Sequence, residues 1–432
     1  MSGGFTFIHA ADLHLDSQFR GLEQAALSGG GADAMVLRRL RDCTFEALEA
    51  MVDLCIHRKV DFLLLAGDIY DAADKSLRAQ IRFRDQLNRL ADAGIPAFVV
   101  HGNHDHGAGW RADLRFPDTV HFFSDREVEA RPYLKNGQEI ARIYGISYPR
   151  QTVLENYAAR FHRDKNVPFA IALLHCNVGG VAGHQNYAPC RLSDLLGSGF
   201  DYWALGHVHS RTVLTPAGPW AVYPGCSQGR NPRETGDKGC FLVSVLDTGS
   251  VTLEFVPVGP VRWEAIEVSI EGLSGDQELL DRLEVSLLQR REAARKPVIA
   301  RVSLTGRGLL HKNLTRPAYA ENLAQELRCR LSVEEENFLC LESIEVATGA
   351  EVDLEELAGS DTLLGDLLAL AGQARQKGEL RDELKRSLSV LLEHPRAARR
   401  LGEPTGPELD ELLERAANMA VDLLLEDERS CG

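Results

Sequence analysis

The nine cysteines of this 432-residue chain form no C-x-x-C pair and follow no regular spacing. Zinc ribbons and disulfide frameworks both need such spacing, so neither is predicted. The sequence also lacks an apolar run of about 18 residues, the length that indicates a membrane-spanning helix. Its first residues lack the basic segment and cleavable apolar segment of a secretory signal. We therefore expect a soluble protein of the cytoplasm, with reduced thiols and no membrane partner.

Basic residues are outnumbered by acidic ones: the chain has 48 Lys and Arg residues and 63 Asp and Glu residues, for a net charge of -15 at pH 7. Such an excess repels the phosphate backbone of a nucleic acid unless basic residues gather on one face. Arg230 and Arg233 follow a predicted strand in a stretch rich in Gly and Pro, and they are the candidates for substrate binding. For the arginine clusters on predicted helices, a solvated helix face is the preferred interpretation: Arg38, Arg39 and Arg41, and Arg78, Arg82, Arg84 and Arg89.

Length and composition indicate an ordinary globular protein with more than one domain. Hydrophobic residues make up 44% of the chain and charged residues 26%. Residues 1–260 alternate strands with helical stretches, which predicts a layered α/β domain. Later strands, around 212–223 and 239–257, follow one another without helices and suggest an antiparallel second half of the sheet system. Residues 261–350 predict a smaller α+β unit, and residues 351–432 predict helices only.

Five short motifs follow one another in the first half of the chain, each directly after a run that is typical of a buried strand. They are Asp12-Leu13-His14, Gly67-Asp68, Gly102-Asn103-His104-Asp105, His175 and Gly206-His207-Val208-His209. One D-x-H or H-x-H pair alone is a weak signal, because it more often belongs to a turn or a polar pair. Ligands bind at the carboxyl ends of strands in α/β sheets, so five such motifs in order predict a shared site.

The side-chain types of these motifs indicate a site for two divalent metal ions. Imidazoles, carboxylates and a carboxamide are too hard a set for a thiolate-type zinc site and too rich in nitrogen for calcium or magnesium. Manganese or iron fits best, and zinc is an alternative. Asp68 can bridge two ions about 3.5–4 Å apart, and a hydroxide between them would attack the phosphorus. His104 is predicted to protonate the leaving oxygen, and Asp105 to fix the tautomer of its ring.

The same motifs match the pattern of the calcineurin-like metallophosphoesterases. Segments 7–17 and 65–71 resemble the DNA-repair nuclease branch of SbcD-type exonucleases, and segments 144–149, 174–180, 186–190 and 202–207 are similar to its YhaO group. This resemblance is strong over residues 1–260 and lies mostly in layout beyond them. It implies a layered α/β fold, a β-sandwich flanked by helices, with residues 261–350 as a small α+β capping domain and residues 351–432 as a helical segment.

The resemblance also implies a role for each motif residue. Carried over by motif, the ligands are Asp12, His14, Asp68 and His209 for one metal, and Asp68, Asn103, His175 and His207 for the other. His104 takes the role of proton donor. The protein phosphatase branch continues its second motif as Asp-Arg-Gly, whereas Asp71 is followed here by Ala72 and Ala73. The missing arginine disfavours a phosphoprotein phosphatase.

The leading hypothesis is a manganese-dependent phosphodiesterase, a DNA exonuclease or endonuclease subunit that acts in DNA repair with an SMC-like ATPase. A phosphoesterase for nucleotides or cyclic nucleotides is one alternative, and a scaffold subunit without catalysis is another. In segments 361–375 and 409–425, leucines and alanines recur at helical spacing. These apolar stripes either pack on each other or on the cap, or one of them docks onto a coiled coil of the ATPase. A homodimer is also left open.

Overall fold

The computed structural model describes residues 4–17, 19, 32–71, 76–181, 185–331, 337–352, 354–376, 378–392 and 406–430. Ala72 and Ala73 lie outside these residues. The chain divides into two compact units. The first unit comprises Met1–Glu264, Arg290–Ala300 and Ser332–Glu342, and the second comprises Ala265–Gln289, Arg301–Leu331 and Ser343–Gly432.

The first unit contains two six-stranded sheets. In the first sheet, four neighbouring strands run parallel: β1 (Phe5–Ala10), β2 (Phe62–Ala66), β3 (Ala97–Val100) and β4 (Val120–Phe122). The other edge of β1 pairs antiparallel with β11 (Gly239–Val245), which continues into β12 (Val251–Pro257). The spatial order is therefore β12-β11-β1-β2-β3-β4.

The second sheet repeats this plan with a parallel centre. Its order is β5 (Glu129–Lys135), β6 (Gln138–Gly145), β7 (Ala170–His175), β8 (Tyr202–Gly206), β10 (Trp220–Tyr223) and β9 (Thr212–Val213). Strands β6, β7, β8 and β10 are parallel, and β5 and β9 are antiparallel edges. The expected antiparallel pairing is confirmed within each range, where β9 pairs antiparallel with β10 and β11 with β12, but the four strands do not form one half of the sheet system. Because β10 pairs with β8, it extends the second sheet, whereas β11 and β12 extend the first.

The core of the first unit follows from the alternation of side chains along each strand, which sends neighbours to opposite faces. On β1, Phe7 belongs to an apolar cluster shared by both sheets, together with Phe62 and Ile171. The next residue, Ile8, belongs to a cluster with α1 (Ala32–Arg58) and α2 (Leu77–Asp92). The outer face of the second sheet packs on α3 (Leu192–Leu196) and neighbouring loops. The predicted β-sandwich flanked by helices is thus confirmed.

Residues after the sandwich form a third sheet and then helices. The sheet has the order β13 (Arg262–Ser269), β14 (Val298–Thr305) and β15 (Leu339–Val346). The helices that connect these strands are α4 (Asp276–Ala294), α5 (His311–Leu314) and α6 (Tyr319–Arg330). On α4, Leu279, Leu283 and Leu287 are buried at intervals of four residues, so one apolar stripe orients the helix.

The remaining elements are helices: α7 (Leu354–Ala358), α8 (Leu363–Gln376), α9 (Gly378–Leu392) and α10 (Gly406–Ser430). The C-terminal helical segment is therefore confirmed. Within the described part of the chain, each helix is too short or too polar to cross a membrane.

Candidate metal centre

The five motifs meet at the carboxyl ends of β1, β2, β3, β7 and β8. Asp12 and His14 follow β1, and main-chain hydrogen bonds tie them to the segment after β2, with Asp12 N donating to Gly67 O and His14 N to Asp68 O, both at 3.0 Å. His175, the last residue of β7, pairs with Gly206, the last residue of β8. The strand register therefore brings residues far apart in sequence to one edge of the sandwich, as the motifs predict.

The main chain at this edge adopts conformations that most residues avoid. Positive φ angles occur at Asp12 (53°), His14 (44°), Asp68 (50°) and His207 (98°). Each such residue costs about 1–3 kcal/mol, and strain of this kind collects at functional sites. Gly206 is required for close approach, because a Cβ there would collide with the carbonyl oxygen of Ala66. The backbone here adopts costly conformations, and these conformations position the side chains of the site.

Three side chains form what we call the first half of the centre: Asp12, His14 and His209. The Nε2 atoms of His14 and His209 lie 3.3 Å apart, and His209 Nε2 lies 3.9 Å from Asp12 Oδ1. All three ligand atoms lie within 4.8 Å of one another. Such spacing suits three donors around one cation.

The second half consists of Asn103, His175 and His207. Asn103 Oδ1 lies 3.0 Å from His175 Nε2 and 3.2 Å from His207 Nδ1. Asp68 lies between the halves, because its Oδ2 is 3.5 Å from His175 Nε2 and 3.8 Å from His14 Nε2. This is the position that the sequence predicts for a bridging carboxylate. All seven predicted ligands are therefore gathered in one cluster, and each half has a nitrogen-rich donor set.

A carboxylate lies beside the outward ring nitrogen of each histidine in the first half, and that of His209 is hydrogen-bonded to it. His209 Nδ1 donates to Glu234 Oε1 at 2.7 Å, and His14 Nδ1 lies 3.1 Å from Asp71 Oδ1. A carboxylate in this position fixes the tautomer of the imidazole and raises the basicity of its other nitrogen. Nε2 of His209 is therefore left to face the cluster as a lone-pair donor, and Nε2 of His14 lies 3.3 Å from it.

Main-chain carbonyl groups do the same for the second half. His175 Nδ1 donates to the carbonyl oxygen of Ala66 at 2.9 Å, and His207 Nε2 donates to that of Gln185 at 2.7 Å. The inward nitrogens are consequently Nε2 of His175 and Nδ1 of His207. Three imidazoles thus present a lone pair inward beside the ring of His14, and this arrangement fits divalent cations.

Burial shifts the acid–base equilibria of the cluster toward the uncharged forms of its side chains. Burial and the neighbouring charge of Asp68 raise the pKa of Asp12 well above its ordinary value, and burial raises the pKa of Asp68 to about 6. Burial lowers the pKa of His14 well below its ordinary value and that of His175 to about 4. His14 and His175 are therefore neutral ligands, and a divalent cation would offset the cost of two buried carboxylates.

His104 lies at the edge of the cluster. Its main-chain N–H donates to Asp68 Oδ1 at 2.9 Å, and its ring meets that of His14 edge-on at 4.9 Å between centroids. His104 Nδ1 donates to the carbonyl oxygen of Asp71 at 2.8 Å. Its ring is half-buried and oriented, as a proton donor requires.

The role predicted for Asp105 needs correction, because it is the Asp71 carbonyl that holds Nδ1 of the His104 ring. The carboxylate of Asp105 accepts hydrogen bonds from the main-chain N–H groups of Gly102, at 2.7 Å, and Ile69, at 2.9 Å. It also lies 3.1 Å from His101 Nδ1. Asp105 is fully buried and ties together the segments that carry Asn103 and Asp68. It therefore shapes the backbone beneath the site.

The two candidate arginines occupy different places. Arg230 Nη1 donates to Asp71 Oδ1 at 2.6 Å and to Ser17 Oγ at 3.2 Å, and its main-chain N–H donates to Glu234 Oε2 at 2.7 Å. Arg230 thus bonds to Asp71 and Glu234, the two carboxylates beside the histidine rings of the first half. Arg233 is exposed, and its main-chain N–H donates to Asn231 Oδ1 at 3.0 Å.

Glu234 is the functional residue that sequence reasoning missed. It is buried, yet the hydrogen bond from His209 and the charge of Arg230 outweigh the effect of burial and lower its pKa to about 2. Glu234 is therefore a negatively charged partner of His209 at neutral pH. The one signal in the sequence was an acidic residue four positions after Arg230, in a stretch rich in Gly and Pro.

Residues 5–211 match the family model described as calcineurin-like phosphoesterase, and residues 263–349 match the middle domain of metallophosphoesterase YhaO. The chain is 40% identical over 301 residues to the uncharacterized metallophosphoesterase YhaO of Bacillus subtilis, covering 70% of this chain and 72% of that protein.

The chain is also similar to proteins named DNA double-strand break repair protein Mre11. Identity is 31% over 176 residues to that of Sulfurisphaera tokodaii, covering 39% of this chain and 44% of the relative. It is 25% over 283 residues to that of Aeropyrum pernix, covering 61% and 63%. The chain thus spans less than two thirds of these two relatives. The match across most of YhaO, together with the family match over the sandwich, shows that this chain belongs to the calcineurin-like metallophosphoesterases.

Proposed function

We propose that this protein is a manganese-dependent phosphodiesterase that acts on DNA in repair. The observation that carries the proposal is the arrangement of the four imidazoles around Asp68. Three of them, His175, His207 and His209, have one nitrogen hydrogen-bonded to an oxygen and the other facing inward, and His14 Nδ1 lies 3.1 Å from Asp71 Oδ1. Nitrogen donors combined with carboxylate and carboxamide oxygens favour manganese or iron, with zinc as the alternative. In the same proposal, residues 261–350 form a cap that shapes access for the substrate.

The residues of the chain divide the work of hydrolysis. Bound divalent ions would supply Lewis acidity toward the phosphoryl oxygens and acidify a water molecule. Asp68 holds the two halves in fixed relation, and its position between His14 and His175 sets the spacing of the donors. His104, protonated at Nε2, donates that proton to the leaving oxygen while its Nδ1 stays on the Asp71 carbonyl.

The choice of DNA as substrate is supported by the names of the Mre11 relatives. The test compares linear single- and double-stranded DNA, bis-p-nitrophenyl phosphate and cyclic nucleotides with manganese present. We expect hydrolysis of DNA and of the small diester. Hydrolysis of cyclic nucleotides without DNA cleavage would replace the proposal by the small-substrate alternative, and no hydrolysis with metals bound would support a scaffold subunit.

We further propose that the C-terminal helices dock onto a coiled coil of an SMC-like ATPase. Helices α8, α9 and α10 line an apolar groove that includes Leu370, Leu384 and Ala416. The predicted stripes are only partly buried against one another: Leu364 and Leu409 are buried, whereas the exposed fraction of Leu370 is 55%. Exposed leucines beside an apolar groove suit a helix-in-groove contact.

The docking test uses exposed positions, so that the fold is kept. Leu370→Glu combined with Ala416→Glu places two charges in the groove and should abolish co-purification of the ATPase, while hydrolysis of bis-p-nitrophenyl phosphate continues. Leu134→Glu is the matched control, because Leu134 is 56% exposed in the first unit. Full retention of the ATPase by the double variant would assign docking to another surface.

A further inference from the structure

A polar pocket opens beside His209 in the first unit. Its lining includes His209, Ser210, Arg211, Thr235, Asp237 and Lys238, and its volume is about 260 Å³. We call it the His209 pocket. Pockets that enclose a whole drug-sized ligand measure roughly 300–1,000 Å³. The His209 pocket therefore has room for one part of a longer molecule whose remainder lies elsewhere.

The charge of the His209 pocket is positive although the chain as a whole is acidic. The carboxylate of Asp237 is already paired, with Lys296 Nζ at 3.2 Å from Oδ1 and Arg262 Nη1 at 3.3 Å from Oδ2. Among the residues that the structure describes, no carboxylate forms an ion pair with Arg211 or Lys238. The pocket therefore offers two cationic side chains to a ligand.

Arg211 is also held in place before any ligand arrives. Its guanidinium carbon lies 4.2 Å from the centroid of the Phe255 ring, the geometry of a cation–π contact. A guanidinium fixed on a ring loses less side-chain entropy on binding an anion. By contrast, arginines of the two long helices are paired with acids, such as Arg39 with Glu46 and Arg89 with Asp53. The positive charge of these two arginines is therefore already neutralised.

We propose that the His209 pocket binds a second phosphate of the substrate, that of a nucleotide next to the phosphodiester at the metal centre. The inference rests on the proposed phosphodiesterase function and names a substrate subsite for it. His209 belongs both to the first half of the centre and to the pocket lining, so the two phosphates would be neighbours along one chain. Ser210 and Thr235 add hydroxyl donors to the two cations.

The binding test needs neither metal nor turnover. A fluorescein-labelled oligothymidylate is titrated with the full chain in EDTA at several salt concentrations. Each phosphate contact contributes about 0.7 to the slope of log Kd against log salt for a single strand, so Arg211→Ala/Lys238→Ala, which removes one phosphate contact, should lower that slope by about 0.7. Arg150→Ala, which removes an exposed arginine paired with Glu155, should leave the slope unchanged. Arg211→Lys keeps the charge and should restore most of the slope lost on removing Arg211.

The kinetic test asks whether a second phosphate helps turnover. The first pair of substrates is p-nitrophenyl thymidine 5′-phosphate with and without a 3′-phosphate. The second pair has the opposite polarity: p-nitrophenyl thymidine 3′-phosphate with and without a 5′-phosphate. In one polarity, the added phosphate should lower KM by about tenfold or more in the native chain, and the double variant should lose most of this advantage. An unchanged kcat would show that the pocket binds the substrate rather than taking part in bond cleavage.

The two tests separate this inference from the function on which it rests. If the native chain hydrolyses diesters but neither the salt slope nor the KM advantage depends on Arg211 and Lys238, the second-phosphate site is wrong and the phosphodiesterase stands. If the slope falls in the double variant while the native chain hydrolyses no diester, the phosphate site stands and the function is wrong. Thermal unfolding of each variant identifies a loss of fold, and in that case Arg211→Lys decides the outcome.

Discussion

The two halves of the candidate metal centre hold their imidazole rings by different means. In the first half, the carboxylates of Asp71 and Glu234 face the outward nitrogens of His14 and His209. In the second half, the partners of His175 and His207 are carbonyl oxygens of the main chain. A carboxylate strengthens its imidazole as a donor more than a neutral carbonyl does. The first half can therefore be tuned by side-chain changes, whereas the second is fixed by the strand framework.

This difference extends to the surroundings of each half. Arg230 bonds both to Asp71 and to Glu234, so one residue contacts the carboxylates beside both histidines of the first half. The carbonyl of Ala66 belongs to β2, and its position follows from the pairing of β1, β2 and β3. Asp68 belongs to both halves. The substitutions below are ordered from the largest expected effect on the two halves to the smallest.

Asp68→Asn should have the largest effect, because it removes the charge that both halves share. We expect two effects: a loss of phosphodiesterase activity of at least about 10³-fold, and weaker binding of both metals. The loss of activity corresponds to several kcal/mol of transition-state stabilisation. Metal analysis after equilibrium dialysis measures the second effect. Asp85→Asn changes an exposed carboxylate paired with Arg84 and serves as the control. Two ions still bound to Asp68→Asn would contradict the shared position.

His104→Ala should lower the rate without touching either half. Removal of a positioned proton donor costs about 10²–10⁴-fold, and both metals should remain bound. The loss should be smaller for a p-nitrophenyl leaving group, which needs little protonation. Turnover that is unchanged for a poor leaving group, or loss of metal, would mean that His104 has another role.

Asp71→Asn and Glu234→Gln should separate the halves. Loss of such an outer partner typically weakens a metal site by about 10–100-fold, so we expect one of two manganese affinities to fall by this factor while the other stays. Asp71→Asn retains the main-chain carbonyl that holds His104, and hence the proton donor should keep its orientation. Isothermal titration of the two sites with manganese measures both affinities. An equal decrease in both would show that the halves are not independent.

The pattern of a strand followed by a ligand was sufficient to predict the cluster of candidate ligands, whereas the sandwich was implied by the family resemblance of the same motifs. A buried strand followed by Asp12, or by His207, is recognisable without knowledge of the fold. The partners of the rings were harder, since they depend on contacts between distant segments: Glu234 lies 25 positions from His209, and Arg230 lies 159 positions from Asp71. No local pattern specifies such a contact.

Two errors have the same origin. Asp105 follows His104 in sequence, which made it the obvious partner of that ring, yet the turn directs its carboxylate toward the N–H groups of Gly102 and Ile69. Likewise, β9 to β12 were expected to form one antiparallel half because they are consecutive. Within this run, β9–β10 and β11–β12 do pair antiparallel, but the two pairs belong to different sheets. Adjacency in sequence was mistaken for adjacency in space in both cases.

The central claim is that two halves joined by Asp68 hold two metal ions. The most direct measurement counts manganese per chain, after equilibrium dialysis, for the native chain and for two double variants. We predict two ions in the native chain, one in His14→Ala/His209→Ala and one in His175→Ala/His207→Ala. A native chain that binds a single ion, or a double variant that still binds two, would contradict the claim.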